Sequence, residues 1–148
     1  MKIERDANIT RYVVIFCIGY VCLTGILALV VWLTSFDVGS STSFVVLLTS
    51  GLFTANRFVV IEERAPYDEE KNKLAVLCLI SLTILSAAAV ILAGLADPSL
   101  NIFSMFSQGG LGILTVVLGI ILAVHYGILR LVFGWFSQKM YSKLENKM

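Results

Sequence analysis

The sequence predicts an all-α integral membrane protein, a single transmembrane domain (1–148) folded as a four-helix bundle. Three observations carry that reading. Of 148 residues, 58% are hydrophobic and only 14% are charged, more apolar surface than a soluble domain of this size hides, since exposed apolar patches above a few hundred Å² are rare in soluble monomers. The apolar residues fall in four blocks, each about the twenty residues that a helix needs to cross roughly 30 Å of hydrocarbon. The basic residues, finally, are confined to alternate connections between those blocks.

The first helix is expected over about 10–34, which holds no Asp, Glu or Lys and only Arg11, close to its start. It is too long for the apolar region of a signal peptide, and no small-residue cleavage site follows it, so a retained helix is expected. The second spans about 43–64. Gly51 is the one helix breaker within it, Arg57 is the only charge before Glu62, and Pro66 stops the run. That length carries it past the membrane surface. The third spans about 69–96, with Asp68 as the expected N-cap and Glu69 and Glu70 favourable beside the positive helix end. Lys71 and Lys73 suit that end less well and are expected to face lipid head groups. In "DPSLNIFSMFSQGG", Asp97-Pro98 reads as a helix start, and Leu100, Phe103 and Phe106 fall on one face of a short interfacial helix between the third and fourth spans. An ordered loop that tucks its aromatics against the helix ends is the alternative. Gly109-Gly110 forms a hinge before the fourth helix, about 110–140. This helix continues as an amphipathic stub, with Phe136, Met140 and Leu144 opposite Lys139 and Lys143. All four helices are apolar all round, which excludes a soluble bundle, whose helices need a polar face.

Charge sets the orientation. All eleven Lys and Arg lie in three regions: the N-terminal segment with the start of the first helix, the stretch around 57–73, and the segment from Arg130 onward. The connections at 35–42 and 97–110 carry none, only Asp37 and Asp97. Short loops rich in Lys and Arg stay on the cytoplasmic side, so both termini and the loop "ANRFVVIEERAPYDEEKNKL" are expected in the cytoplasm. That loop holds nine of the 21 charged residues because it is the one internal cytoplasmic connection. The same asymmetry argues against insertion in two opposite orientations.

Helix association in lipid depends on close backbone approach. The fourth helix offers Gly112, Gly119, Gly127 and Gly134, with Ala123 completing a Gly119-x-x-x-Ala123-x-x-x-Gly127 face. Packing within the bundle is one use of such a face, and docking of a second protein or a second copy is the other. Gly51-x-x-x-Ala55 and Ala89-x-x-x-Ala93 repeat the pattern on the second and third helices.

Catalytic signatures are absent: there is no GxSxG elbow, no HExxH pair and no phosphate-binding Gly loop. Cys17, Cys22 and Cys78 have no metal-like spacing and read as small apolar packing residues. No Asp or Glu lies deep in a helix, which counts against proton-coupled carriers. The intramembrane polar residues are Asn56 and Arg57 on the second helix and His125, Tyr126 and Arg130 on the fourth. Both arginines are close enough to the surface to snorkel. His125 reads as a hydrogen-bonding group toward a neighbouring helix, in preference to a proton relay or ligand. No catalytic residue, metal, cofactor or nucleic-acid partner is expected.

The loop carries the most specific pattern in the chain: Arg57-Phe58, then Arg64-x-Pro66, then Glu70, then Leu74. It resembles the central cytoplasmic loop of a group of small, functionally uncharacterised bacterial inner-membrane proteins with four predicted helices, and the closing "LRLVFGWFSQKM" is similar in style to their ends. Members of that group often have Thr or Ser after the proline. Tyr67 stands there in this chain, so Asp68 is expected to take over the cap. The resemblance implies the same topology and a bacterial cytoplasmic (inner) membrane, and it carries no activity.

The expected function is that of a non-enzymatic accessory or regulatory subunit that binds another membrane protein or itself. Gly112, Gly119, Ala123, Gly127 and Gly134 would make the contact within the bilayer, and Arg64 and Glu70 a cytoplasmic one. The alternatives are transport of an ion or small solute by an oligomer, with His125 and Asn56 lining the path, and service as the immunity partner of a membrane-acting toxin.

Overall fold

A computed structural model describes residues 7–35, 42–96 and 111–145. Its elements are α1 (Ile9–Thr34), α2 (Thr42–Glu62), α3 (Asp68–Ala96), α4 (Leu111–Leu131), a π-helical turn (Val132–Phe136) and α5 (Ser137–Glu145). Among the described residues there is no strand, and four helices are long and apolar enough to cross a membrane. The expected interfacial helix falls within 97–110, outside the described residues.

The helix ends show where local chemistry overrides the apolar pattern. α1 closes on Ser35, which takes a left-handed conformation (φ 51°) and donates its N–H to Val31 O. α2 stops at Glu62, two residues before the expected 64, because Glu63 is also left-handed at φ 52°. Such a residue redirects the chain at once.

The start of α3 corrects the capping assignment. The first intrahelical bond runs from Lys71 N–H to Tyr67 O at 2.9 Å, so Tyr67 is the N-cap and Asp68 is the first helical residue. The Glu70 carboxylate reaches back to accept the Tyr67 N–H, also at 2.9 Å. This is the acidic half of a capping box, and it does not require the Ser or Thr that the chain lacks after Pro66. Asp68 instead pairs with Lys71 at 2.9 Å and Glu69 approaches Lys73 at 3.9 Å, so both lysines that looked misplaced beside a positive helix end have an acidic partner one turn back.

The fourth span runs further than the expected 140, to Glu145, with the π turn interrupting it. Gly134 lies in that turn, and the Lys71 Cδ is 3.9 Å from where a β-carbon on Gly134 would sit. The lysine stem thus lies along the π turn.

α2 is the most buried of the four spanning helices. It packs on α1 along one side and on the π turn and α5 on the other, while α3 joins α1 to α4. The core is lopsided. Tyr12 and Phe16 from the start of α1 meet Ala55 and Phe58 from the end of α2, together with Leu74, Ala75 and Cys78 from the start of α3 and Leu129, Val132 and Phe133 from the end of the fourth span. The Tyr12 and Phe58 rings meet at a tilt of 49°, with 4.8 Å between ring centroids. At the other end, Trp32, Leu33, Ile91, Leu95, Val116 and Ile120 stand exposed. One close approach fixes the middle of the bundle. A β-carbon on Gly51 would lie 3.4 Å from the Val132 side chain and 3.6 Å from that of Leu129, so α2 seats these two side chains of the fourth span directly on Gly51.

Candidate functional site

The charged connection between α2 and α3 is a knot of mutually satisfied groups. The Arg64 guanidinium grips Glu70 with two parallel hydrogen bonds, Nη1 to Oε2 at 2.6 Å and Nη2 to Oε1 at 2.7 Å. The fork of an arginine matches a carboxylate in this bidentate way, and charge-assisted bonds of this kind are the strong ones. The hydrogen bond to Glu70 raises the Arg64 pKa above its ordinary value, so the group stays a cation. Its flat faces are covered as well: the guanidinium carbon lies 4.5 Å from the Tyr67 ring centre and 5.6 Å from that of Phe58. Glu70 also accepts the N–H of Tyr67. Beside it, the Tyr12 hydroxyl donates to Glu62 Oε1 at 2.6 Å and ties α1 to the end of α2.

This explains why the residues of the loop pattern occur together. Phe58, Pro66 and Leu74 are buried beneath the knot, while Arg64 and Glu70 close it. The two charged residues expected to face a cytoplasmic partner thus face each other, with 24% and 13% of their side-chain surface exposed. Arg57 stands apart on α2, exposed, with its guanidinium carbon 5.5 Å from the Phe53 ring centre. Lys139 sits over Trp135 in the same way at 4.9 Å. Such cation–aromatic pairs suit a membrane–water boundary.

The small-residue face of α4 has the opposite character. Among the described residues, no atom beyond its own helix lies within 4 Å of where a β-carbon on Gly119 or Gly127 would be, and Ala123 is exposed. The Gly119–Ala123–Gly127 stripe is therefore not used for packing within the chain among the described residues. Gly51, against Val132 and Leu129, and Gly134, against Lys71, by contrast face side chains of other elements within 4 Å. The surroundings of Gly112 lie outside what is described.

The intramembrane polar residues are placed as follows. His125 donates Nδ1–H to Ile121 O of its own helix at 2.7 Å and meets the edge of Phe44 on α2, with 6.1 Å between ring centres. Its hydrogen bond is thus intrahelical, not to a neighbour as expected. Tyr126 points its hydroxyl at Asn72 Oδ1 on α3 across a long 3.5 Å. Arg130 is exposed and Asn56 half-buried on α2. These residues do not converge on one point.

Two features had no signal in the sequence. Ser50 and Ser137 are fully buried with hydroxyls that have no hydrogen-bond partner among the described residues. The Tyr12–Glu62 bond joins positions fifty residues apart, and neither residue stands out from its neighbours in the chain. Among the described residues, no cluster of three His, Cys, Asp or Glu is arranged to hold a metal ion.

Comparison with family models, with curated proteins and with solved structures gave no match.

Proposed function

We propose that this chain is a non-enzymatic integral protein of a bacterial cytoplasmic membrane, an accessory or regulatory subunit that associates through α4 with another membrane protein or with a second copy of itself. The observation that carries the proposal is the unfilled Gly119–Ala123–Gly127 stripe. In a bilayer, close backbone approach along such a face is a main source of helix association. A stripe that the chain's own helices leave open is available for that purpose, whereas Gly51 and Gly134 are already occupied.

The orientation belongs to the same proposal. The eleven basic residues, all outside the connections at 35–42 and 97–110, support cytoplasmic termini. A cysteine placed at exposed Ser142 should react with a membrane-impermeant maleimide only after the cells are opened, and labelling of intact spheroplasts would reverse the orientation. The loop pattern from Arg57 to Leu74 supports the resemblance to small inner-membrane proteins, and its knot gives that pattern a structural purpose.

The test of association is native mass spectrometry of complexes extracted in mild detergent. Gly119→Leu with Gly127→Leu should dissociate them while leaving the monomer folded, because neither glycine has a packing partner among the described residues. Undiminished assembly in the double variant sinks the proposal.

A further inference from the structure

We propose that the groove between the start of α1 and the first turns of α3 is a binding site for one anionic phospholipid. The groove has a volume of about 390 Å³ and is lined by Ile9, Asn72, Lys73, Val76 and Leu77. Its accessible wall is apolar, and exposed Lys73 contributes its stem to that wall. Lys73 is the last charge of α3 before the uncharged run that begins at Leu74. Val76 and Leu77, partly exposed, follow within about one helical turn, roughly 5 Å further along the axis. An ammonium at that level meets a phosphate, and the valine and leucine below it meet the first carbons of an acyl chain.

Charge complementarity selects the occupant. Lys73 is 64% exposed, and the carboxylate nearest to it is Glu69 at 3.9 Å, itself 88% exposed. A pair so open to water is worth little, so the ammonium is free to exchange Glu69 for a lipid phosphate. Lys71, by contrast, is held by Asp68 at 2.9 Å and covered against Gly134. Asn72 has its Oδ1 directed at Tyr126 on α4. A basic residue near an anionic leaflet gains from surface attraction, and the adjoining groove converts that general attraction into a fixed site. The inference rests on a bilayer around α3 and is independent of association through α4.

The test uses the full-length protein in mild detergent, with phosphatidylglycerol or phosphatidylcholine of identical acyl chains added, read by native mass spectrometry. One phosphatidylglycerol should be retained per chain, at least threefold more than phosphatidylcholine. Lys73→Gln should cut that retention severalfold. Glu69→Gln should raise it, since it removes the competitor for the same ammonium. Val76→Trp fills the groove without changing charge and should also abolish the adduct. Millimolar inorganic phosphate should not displace the lipid, because the groove binds the chain as well as the head group. Equal retention of both lipids overturns the inference. So does a shift in the same direction for Lys73→Gln and Glu69→Gln, or displacement by free phosphate. Helical circular dichroism of each variant checks folding. Protein complexes and lipid adducts differ in mass, so loss of association through α4 and loss of the lipid site are read separately from one spectrum.

Discussion

Replacing Glu70 with Ala removes three hydrogen bonds at once: two from Arg64, at 2.6 and 2.7 Å, and one from Tyr67 N–H at 2.9 Å. Arg64 is left with a 3.4 Å contact to Ala65 O and the two aromatic faces. An exposed ion pair is worth about 0–1 kcal/mol, whereas breaking a buried one costs about 3–5 kcal/mol. With 24% and 13% of their side-chain surfaces exposed, Arg64 and Glu70 fall between these limits, at about 2 kcal/mol. Loss of the reach-back to the N-cap adds about 0.5–1 kcal/mol. Glu70→Ala should therefore cost about 2.5–3 kcal/mol. Glu70→Gln keeps an acceptor for Tyr67 N–H and gives up the charge, so it should cost less, about 1–1.5 kcal/mol. Arg64→Ala combined with Glu70→Ala should cost less than the sum of the two single changes by about 1.5–2 kcal/mol, the coupling expected of groups in direct contact. The assay is reversible unfolding in mixed micelles of rising dodecyl sulfate fraction, followed by circular dichroism and by the fluorescence of Trp32 and Trp135. The reasoning is refuted if Glu70→Ala lies within about 0.5 kcal/mol of the parent, the range of an ordinary surface change, because the knot would then be a solvated pair with no hold on the α2–α3 connection.

Two further changes test the same end of the bundle and its middle. Tyr12→Phe removes the hydroxyl that donates to Glu62 at 2.6 Å and should cost about 1–2 kcal/mol in the same assay; an unchanged midpoint would mean that water replaces the bond at no loss. Gly51→Leu drives a side chain into Val132 and Leu129 and should cost about 1–3 kcal/mol, whereas Gly119→Leu should leave the monomer's stability within about 0.5 kcal/mol. Equal losses from the two glycine variants would show that α4 packs through its stripe after all.

The four spans were legible because their signal is a sum over about twenty residues that no single position can mask. The ends were less so. Asp68 looked like the cap of α3 because Asp is a strong N-cap residue, but the Glu70 reach-back and the turn after Pro66 place Tyr67 there. The end of α2 was set too late, since nothing about Glu63 as a residue type announces a left-handed conformation. In the loop, the resemblance pointed to Arg64 and Glu70, but no spacing named them as partners, for at six residues apart they match no regular helical pattern. Their pairing exists only because the chain turns between them. The glycines of the fourth span looked alike in sequence. Which of them are packed depends on where α2 and α3 cross, and the structure separates Gly134, beside Lys71, from Gly119 and Gly127, which have no neighbour among the described residues.

The lopsided core follows from the solvent. In hydrocarbon there is no hydrophobic penalty for an exposed leucine, so apolar residues alone do not specify how α1, α3 and α4 lie against one another. Specificity has to come from close backbone approach and from polar groups that lose when separated. This chain concentrates its polar ties at one end, Tyr12 with Glu62 and Arg64 with Glu70, and sets the contact of Gly51 with Val132 at the middle of the bundle. Beyond them, the far halves of α1, α3 and α4 expose Trp32, Leu95 and Ile120, residues that lipid or another helix covers equally well. The fold is thus held at its charged end, and the Gly119–Ala123–Gly127 face beyond that anchor can take a partner without disturbing a core contact. If association does use this face, it should follow that Glu70→Ala weakens the monomer more than the assembly, and that Gly119→Leu with Gly127→Leu does the reverse.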